Sequence, residues 1–281
     1  MESHPGSDAP TNPNHCPVCR SRNTGVWFGY NPKRINDSET LVHDVTHVCA
    51  DCDATWTAWG HTIIASRDDG PNSDEALAAL EQAIAELDGA IAITCDASEP
   101  GGCELAVEAT VDAFGGLDAA IYVVGTSPLG MLDEVDEQFW QQVFASNVFG
   151  AGALARAAAI HLRASVDGRL VFISSNAPER PWPGMVVYAA SKAALDALVF
   201  GWRNEHPDIG ATRITVGPTA TTMAMGWDPE LGGRLRERWA EGGYLSPDPA
   251  VQQPEDVAEQ VVNVLRSATR ITDVRVVPPG V

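Results

Sequence analysis

The sequence predicts an α/β fold, a doubly wound parallel sheet that follows a small N-terminal module with paired cysteines. Two Cys-x-x-Cys pairs lie within the first sixty residues. From residue 61 onward, short apolar runs alternate with longer segments of helical periodicity. This alternation is typical of a parallel sheet with helices on both faces, whose ligands bind at the carboxyl ends of the strands.

The N-terminal module is predicted to span residues 14–60, after a disordered tail of residues 1–13. Its cysteines form two short turns, CPVC and CADC. Two such turns deliver four thiolates to one tetrahedral ion, so we predict a structural zinc ribbon. The alternatives are a rubredoxin-like iron site, disulfides and free thiols. The predicted zinc ligands are Cys16, Cys19, Cys49 and Cys52.

The segment NTGVWFGYN (residues 23–31) has a Thr-Gly-x-x-x-Gly spacing that suggests a phosphate loop. Such a loop follows an apolar strand and opens a helix, whose N-terminus binds the anion. Here the segment lies between the two cysteine turns, with CPVCRSR before it and NPKRINDSET after it. We therefore interpret it as a strand and turn of the ribbon.

The second domain, residues 61–281, is predicted from apolar runs and the helical segments between them. The predicted strands are 61–66, 90–95, 118–124, 169–174, 211–216 and 273–277. The predicted helices are 73–87, 103–114, 137–162, 186–202 and 254–267. The last helix begins with proline, which is favoured at the first helical position.

The net charge of the protein indicates which kinds of partner it can bind. The 281 residues include 38 acidic and 18 basic side chains, a net charge of −20. Such a surface repels phosphate backbones and anionic lipids, so we expect a small-molecule substrate and neither nucleic acid nor a membrane as partner. No run of 18 apolar residues occurs, so no transmembrane helix is expected. The N-terminus lacks the features of a signal peptide, which predicts a cytoplasmic protein.

The residues that carry chemistry lie in FISSNAPERPWPGMVVYAASKAALDAL. Tyr188 and Lys192 are four residues apart in a predicted helix and therefore share one face. An ammonium beside a phenol favours the phenolate, so we expect Lys192 to lower the pKa of Tyr188 and to make it a general acid or base. Ser175 lies where a predicted strand ends, and its hydroxyl reaches the same cleft.

This segment resembles the short-chain dehydrogenase/reductase family, whose Tyr-x-x-x-Lys falls on Tyr188 and Lys192. The family's serine, 13 residues before the tyrosine, falls on Ser175, and its helix asparagine falls on Asn147. The resemblance covers residues 61–281 and implies a Rossmann-like fold, NADP or NAD as cofactor, and a homodimer or homotetramer. Tyr188 would exchange a proton with the substrate oxygen, to which Ser175 would donate a hydrogen bond. Lys192 would hold the nicotinamide ribose, and Asn147 would complete a proton relay.

The resemblance also assigns cofactor contacts. Asp96 in TCDASEP would contact the adenine, although capping of the next helix is an alternative role. Thr222 in GPTATTM would contact the carboxamide, and Arg67 would meet a 2′-phosphate unless it is only solvated. Gly125 is what remains of the family's Asn-Asn-Ala-Gly, which is here Tyr122-Val123-Val124-Gly125.

The nucleotide-binding end departs most from the family. Only one strand–helix unit, HTIIASRDDGPNSDEALAAL, precedes TCDASEP, where two are expected. The sheet is therefore predicted to be truncated at its first strand–helix unit, and the unit present is either the second or a remodelled first. Its loop SRDDGPNSD holds one glycine and three aspartates, which suits a pyrophosphate poorly.

Two enzymatic functions follow from these residues. The first is an oxidoreductase that acts on a carbonyl or secondary alcohol of a small, specialised-metabolite-like substrate. The alternative is a cofactor-free dehydratase, isomerase or cyclase that uses Tyr188, Lys192 and Ser175 for acid–base chemistry. A catalytically silent scaffold is a weaker third. The resemblance implies that residues 223–249 form the family's variable lid. Its aromatic residues Trp227, Trp239 and Tyr244, with Trp182, either face a flat or apolar substrate or pack the lid onto the protein.

Overall fold

The computed structural model describes residues 90–279 except 225–226 and 246–249, together with the backbone of six short strands before residue 66. The first five strands are β1 (Thr24–Gly25), β2 (Gly29–Asn31), β3 (Val42–Asp44), β4 (His47–Cys49) and β5 (Thr55–Trp56). They form two antiparallel sheets, β1-β4-β5 and β2-β3. Of the predicted zinc ligands, only the backbone of Cys49 is among the described residues.

The predicted α/β architecture is confirmed in the second part of the chain. Its strands are β6 (His61–Ala65), β7 (Ala90–Thr94), β8 (Ala119–Tyr122), β9 (Arg169–Ser175), β10 (Gly210–Val216) and β11 (Asp273–Val276). Its helices are α1 (Pro100–Phe114), α2 (Glu137–Phe144), α3 (Gly150–Ala164), α4 (Val186–Glu205), α5 (Pro229–Glu241) and α6 (Pro254–Arg266). Every strand pair among β6 to β11 is parallel, as alternation with helices requires.

The strand order identifies the N-terminal strand–helix unit. Strands β8 to β11 form one sheet in the order β11-β10-β9-β8, while β6 pairs directly with β7 in a second sheet. In the doubly wound order 3-2-1-4-5-6, the third strand pairs with the second and not with the first. The unit that begins with β6 therefore occupies the second position. Within the described part of the chain, no strand fills the first position between β6 and β8.

The N-terminal strands lie near this vacant position. Strand β3 lies beside β6, and helix α6 lies beside β1, β2 and β4. A parallel sheet needs cover along its faces and edges, since unpaired strand edges are sites of non-native association. Strands β1 to β4 therefore pack against β6 or α6 of the second domain.

Two apolar layers hold the larger sheet. On one face, α1, α3 and α4 pack against residues such as Leu170 and Phe172 of β9. On the other face, α6 packs against alternate residues of the same strands, including Val171 and Ile214. Because successive side chains of a strand point to opposite faces, both faces are apolar and the strands read as continuous apolar runs.

The predicted helix 137–162 is one continuous helical stretch, Glu137–Ala164, that contains a π-helical turn at Ala145–Phe149. Within the described residues, it alone is long and apolar enough to cross a membrane by length and composition. Its most apolar window has a mean hydropathy of 1.4, and half of that window is buried inside the protein. Ala151, Ala155 and Ala158 belong to the core beneath this helix, so packing on the sheet accounts for its apolar character.

Candidate active site

Tyr188 and Ser175 meet at the carboxyl end of the sheet. Tyr188 lies in the first turn of α4, which follows a turn closed by the hydrogen bond from the Met185 amide to the Trp182 carbonyl at 2.9 Å. Ser175 is the last residue of β9. Burial raises the pKa of Tyr188 above its usual value, and a hydrogen bond with the Ser175 side chain partly offsets this rise. The structure therefore brings the Tyr188 phenol and the Ser175 side chain together at this edge of the sheet.

Lys192 lies one helical turn after Tyr188 and is 4% exposed. Its Nζ is 6.0 Å from the centre of the Tyr188 ring and donates to the Ile173 carbonyl at 2.9 Å. Burial lowers the pKa of Lys192 to about 8, against an opposing effect of the Asp196 carboxylate. The expected lowering of the Tyr188 pKa by Lys192 is not found, because burial of the phenol dominates.

Asn147 lies in the π-helical turn and is fully buried. Its Oδ1 accepts from the Thr126 amide at 2.8 Å, and its Nδ2 donates to the Thr126 carbonyl and to Ser191 Oγ, each at 2.9 Å. Ser191 in turn donates to the Tyr188 carbonyl at 2.7 Å. The side chain of Asn147 therefore connects the loop after β8 to the first turns of α4.

Gly125 lies where these groups converge. A Cβ at this position would be 3.2 Å from Asn147 Oδ1 and 3.4 Å from Lys192 Nζ. The first distance is tighter than ordinary van der Waals contact, so a side chain at 125 would require the Asn147 amide to shift by a few tenths of an ångström. The absence of a side chain lets the backbone after β8 approach both groups closely.

The lid helix α5 is packed onto the protein through its aromatic residues. The Trp239 indole donates to the Pro183 carbonyl at 2.8 Å, and the Trp227 indole donates to the Ser127 carbonyl at 2.7 Å. The ring centres of Trp182 and Trp239 are 5.2 Å apart. Of the two roles that the sequence left open, the structure supports packing of the lid onto the loops that follow β8 and β9.

A cleft of about 290 Å³ opens beside Ser175 on the α4 side of the sheet. Its charged lining is paired internally. Arg213 bonds to Asp196 at 3.1 Å, and Arg275 forms an ion pair with Glu179. Since these charged side chains are held in ion pairs at its wall, the cleft suits an apolar substrate poorly.

Comparison with known proteins agrees with this geometry. A family model for short chain dehydrogenases matches residues 60–232. The chain belongs to the short-chain dehydrogenase family. Among curated members, 11-beta-hydroxysteroid dehydrogenase A of Sesamum indicum is 31% identical over 182 residues, which are 64% of this chain and 51% of that protein. Versicolorin reductase 1 of Aspergillus parasiticus is 33% identical over 201 residues, or 68% and 74% of the two chains.

A solved structure of a short-chain dehydrogenase from Burkholderia cenocepacia in complex with NADP is 28% identical. It aligns with a TM-score of 0.60 and covers 76% of this chain and 84% of its own. The present chain spans about half the length of the first curated short-chain dehydrogenases that it matches.

The structure describes only some of the residues that are predicted to bind the cofactor of this short-chain dehydrogenase. Asp96 follows β7, and its Oδ1 accepts from the amide of Ser98 at 2.8 Å and from its hydroxyl at 2.5 Å. Its alternative role as a helix cap is wrong, because Glu99 is the N-cap of α1. Thr222 opens a short 3-10 turn, but its side chain is not described, and Arg67 lies outside the described residues.

Several site residues of this short-chain dehydrogenase were not singled out in the sequence. Ser191 directly precedes Lys192, and its position three residues after Tyr188 places it on the inner face of α4. Thr126 contributes only backbone groups, and Tyr122 is a substitution within the family's Asn-Asn-Ala-Gly. Ser191 could have been found from its place within the Tyr-x-x-x-Lys motif. The backbone groups of Thr126 could not, because any residue type supplies them.

Proposed function

We propose that this protein is an NADP(H)- or NAD(H)-dependent oxidoreductase that acts on a carbonyl or secondary alcohol. The observation that carries the proposal is the convergence of Tyr188, Ser175 and Lys192 at the carboxyl end of the sheet. Ligands of doubly wound sheets bind at this edge. Oxidoreductase names among the relatives support the same chemistry.

Each residue of the proposed tetrad has a distinct role. In the direction of reduction, Tyr188 transfers its hydroxyl proton to the substrate oxygen while Ser175 donates a second hydrogen bond to that oxygen. Lys192 supplies positive charge next to the phenol, and Asn147 holds the loop after β8 against α4. A bound nicotinamide would supply the hydride in reduction and accept it in oxidation.

The residues present suit the nicotinamide half of a dinucleotide. Lys192 offers a buried ammonium, and a Cβ built on Gly125 would lie 3.4 Å from its Nζ. Asp96, Gly125 and Ser175 all follow or end strands of the parallel sheets at their carboxyl ends. We propose that Asp96, Gly125, Thr222 and Arg67 contact the cofactor, with Arg67 on a 2′-phosphate.

A cofactor-free acid–base enzyme is the second candidate. Its support is the strand order, in which no described strand occupies the first position between β6 and β8. The Gly-rich turn that grips a pyrophosphate follows that first strand. Tyr188, Lys192 and Ser175 would then catalyse a dehydration, isomerisation or cyclisation, which requires proton transfer and no hydride.

The substrate that we propose is a ring-containing ketone or alcohol of a specialised metabolite. Two relatives support this class by name, a hydroxysteroid dehydrogenase and versicolorin reductase 1. The buried site also favours an apolar ligand over a charged one, because an unpaired charge beside a buried lysine and tyrosine is costly.

We propose that Cys16, Cys19, Cys49 and Cys52 bind one structural zinc ion. The antiparallel pairing of β1 with β4, which aligns Thr24 with Cys49, supports a ribbon that brings the two cysteine turns together. The position of β3 beside β6 supports a second role, which is to cover the sheet where its first unit is missing.

We also propose that the protein is a cytoplasmic homodimer or homotetramer. The outer surfaces of the π-helical turn and α4 support a subunit contact, since Phe149 is 60% exposed and Phe200 is 51% exposed. Exposed aromatic residues at this density are typical of association surfaces. Light scattering of the purified protein measures the assembly directly.

A titration separates the two enzymatic functions. The purified protein is titrated with NADPH and with NADH while nicotinamide fluorescence and binding heat are recorded. Micromolar binding followed by NADPH consumption with a polycyclic quinone probe supports the oxidoreductase. Absence of binding at millimolar cofactor rules it out and leaves the cofactor-free enzyme.

A further inference from the structure

Tyr122 contacts the helix that carries Asn147. It ends β8, is 2% exposed, and occupies the first position of the segment that replaces the family's Asn-Asn-Ala-Gly. Its hydroxyl donates to the Ser146 carbonyl at 2.5 Å and lies 3.4 Å from the Ala97 carbonyl. Ser146 directly precedes Asn147 in the π-helical turn.

The Ser146 carbonyl accepts from the Tyr122 hydroxyl and not from the amide that it would bond to in a regular α-helix. In an α-helix, the Gly150 amide would bond to the carbonyl four residues before it, which is Ser146. Here the Gly150 amide bonds to Ala145. A π turn holds one residue more than an α turn, so it rotates the residues on its two sides by about 100° relative to a continuous α-helix.

Gly150 makes the approach of the phenol possible. A Cβ on Gly150 would lie 2.1 Å from the Tyr122 hydroxyl oxygen and 2.1 Å from the Ala97 carbonyl oxygen. No side chain is compatible with those distances. The hydroxyl of Tyr122, the carbonyl of Ser146 and the bare backbone of Gly150 thus form one packed arrangement around the π turn.

We infer that Tyr122 is a positioning residue, whose hydroxyl holds the π turn through the Ser146 carbonyl and thereby fixes Asn147 against Thr126 and Ser191. Through Ser191, which donates to the Tyr188 carbonyl, the same contact sets the register between the loop after β8 and the start of α4. The effect on turnover rests on the proposed oxidoreductase function, whereas the effect on Asn147 does not.

Burial keeps the Tyr122 hydroxyl available as a donor. It raises the pKa of Tyr122 far above the usual range, with smaller contributions from Cys103 and Asp96. The phenol is therefore protonated at neutral pH, and its proton remains available for the bond to Ser146.

The test compares Tyr122→Phe with Thr212→Val. Tyr122→Phe keeps the ring and removes the bond to Ser146. Thr212→Val removes another buried hydroxyl, one that does not contact the tetrad. This hydroxyl donates to the Ile271 carbonyl at 2.5 Å. Hydrogen exchange is measured at the Thr126 amide, whose acceptor is Asn147 Oδ1. We expect exchange at Thr126 to rise at least tenfold in Tyr122→Phe, towards its rate in Asn147→Ala, and to stay unchanged in Thr212→Val.

Turnover provides the second measurement. With NADPH and a polycyclic quinone probe, kcat of Tyr122→Phe should fall on the order of ten- to a hundredfold while the Kd of NADPH is unchanged, as expected for a small misplacement of catalytic groups. Unchanged Thr126 exchange in a folded Tyr122→Phe protein overturns the inference. If the wild type shows no turnover, the oxidoreductase proposal fails while the exchange measurement still decides the role of Tyr122.

A measurement on the wild type covers the case in which Tyr122→Phe does not fold. The chain has four tyrosines, so ring-labelled tyrosine gives few resonances in NMR spectra. We expect a slowly exchanging hydroxyl proton on Tyr122 with a scalar coupling to the Ser146 carbonyl. A Tyr122 hydroxyl that exchanges as fast as those of solvent-exposed tyrosines would overturn the inference.

Discussion

The buried ammonium of Lys192 donates a hydrogen bond to the main-chain carbonyl of Ile173, two residues before Ser175, at 2.9 Å. This bond ties α4 to the end of β9, and it places Ser175 opposite Tyr188. One turn further along α4, Asp196 accepts from Ser174 at 2.6 Å. Two consecutive turns of the helix are therefore fastened to the strand that ends at the site.

The proximity of the Tyr188 phenol to Ser175 and Lys192 predicts that the phenol is required for turnover. Tyr188→Phe should lower kcat by at least about a hundredfold, because a general acid or base contributes that much or more to proton transfer. NADPH binding should persist, since the ring is retained. Stopped-flow or steady-state NADPH consumption, together with fluorescence titration of the cofactor, measures both quantities.

Tyr244→Phe is the matched control for this prediction. Tyr244 packs on Trp182 and lies under Arg180 at 4.1 Å, away from the tetrad. Its ring contacts persist in the variant, so turnover should stay near that of the wild type. Equal activity of Tyr188→Phe and Tyr244→Phe would remove Tyr188 from the mechanism.

The arrangement of Tyr188 and Lys192 could be predicted from the sequence because it is local. Four residues along a helix bring two side chains together whatever the rest of the fold does. The direction of the Tyr188 pKa was not predicted correctly, since it depends on burial by distant parts of the chain. The spacing of two charged groups along a helix can be predicted from the sequence. The extent to which a group is removed from water depends on the tertiary structure.

The π turn at Asn147 shows the same limit. The periodicity of residues 137–162 predicts a single regular helix, and the structure has a helix there. The irregular turn is in contact with Tyr122, which lies 24 residues before Ser146 and reaches it only in the folded sheet. The position of β6 was likewise ambiguous, because strand order is decided by pairing and not by local pattern.

Lys192 should titrate near neutral pH, and Asp196 should control its midpoint. Burial lowers the pKa of Lys192 to about 8, while Asp196 raises it. The charged form therefore disappears as pH rises through about 8, and activity that depends on this charge should fall over the same range. Asp196→Asn should move both midpoints to lower pH. Asp273→Asn should not, although Asp273 also bonds to Arg213.

Selective labelling makes this titration directly visible. The only lysines in the sequence are Lys33 and Lys192, so lysine labelled with ¹³C at Cε gives two signals. One signal should titrate near 8 and should shift in Asp196→Asn. Titration of both signals at the ordinary lysine pKa would show that the Lys192 ammonium is not desolvated in solution.

The proposed ribbon predicts zinc in amounts equimolar with the protein. Elemental analysis of protein purified without chelator should find this zinc, and Cys49→Ser should lose most of it because three remaining ligands bind the ion less tightly. Unfolding temperature should fall in the same variant. Cys95→Ala is the control, since Cys95 is buried in the second domain and burial raises its pKa to about 12. Zinc that is lost equally from both variants, or absent from the wild type, would refute the ribbon.

The packing of the lid predicts a large stability difference between two tryptophan variants. Trp239 is 3% exposed, and its indole donates to the Pro183 carbonyl. Trp239→Ala should lower the free energy of unfolding by about 3–5 kcal/mol, the usual cost of removing a buried aromatic side chain. Trp239→Phe keeps much of the packing and should cost less. Urea unfolding measures these values. The control is Val166→Ala, at a residue that is 85% exposed, and its free energy of unfolding should stay within about 0.5 kcal/mol of the wild-type value.

Because α5 packs on the loops after β8 and β9, Trp239→Ala should also expose residues 229–241 to proteolysis before the sheet unfolds. A lid whose tryptophans faced an open substrate cleft would instead show small stability changes and a weakened affinity for substrate.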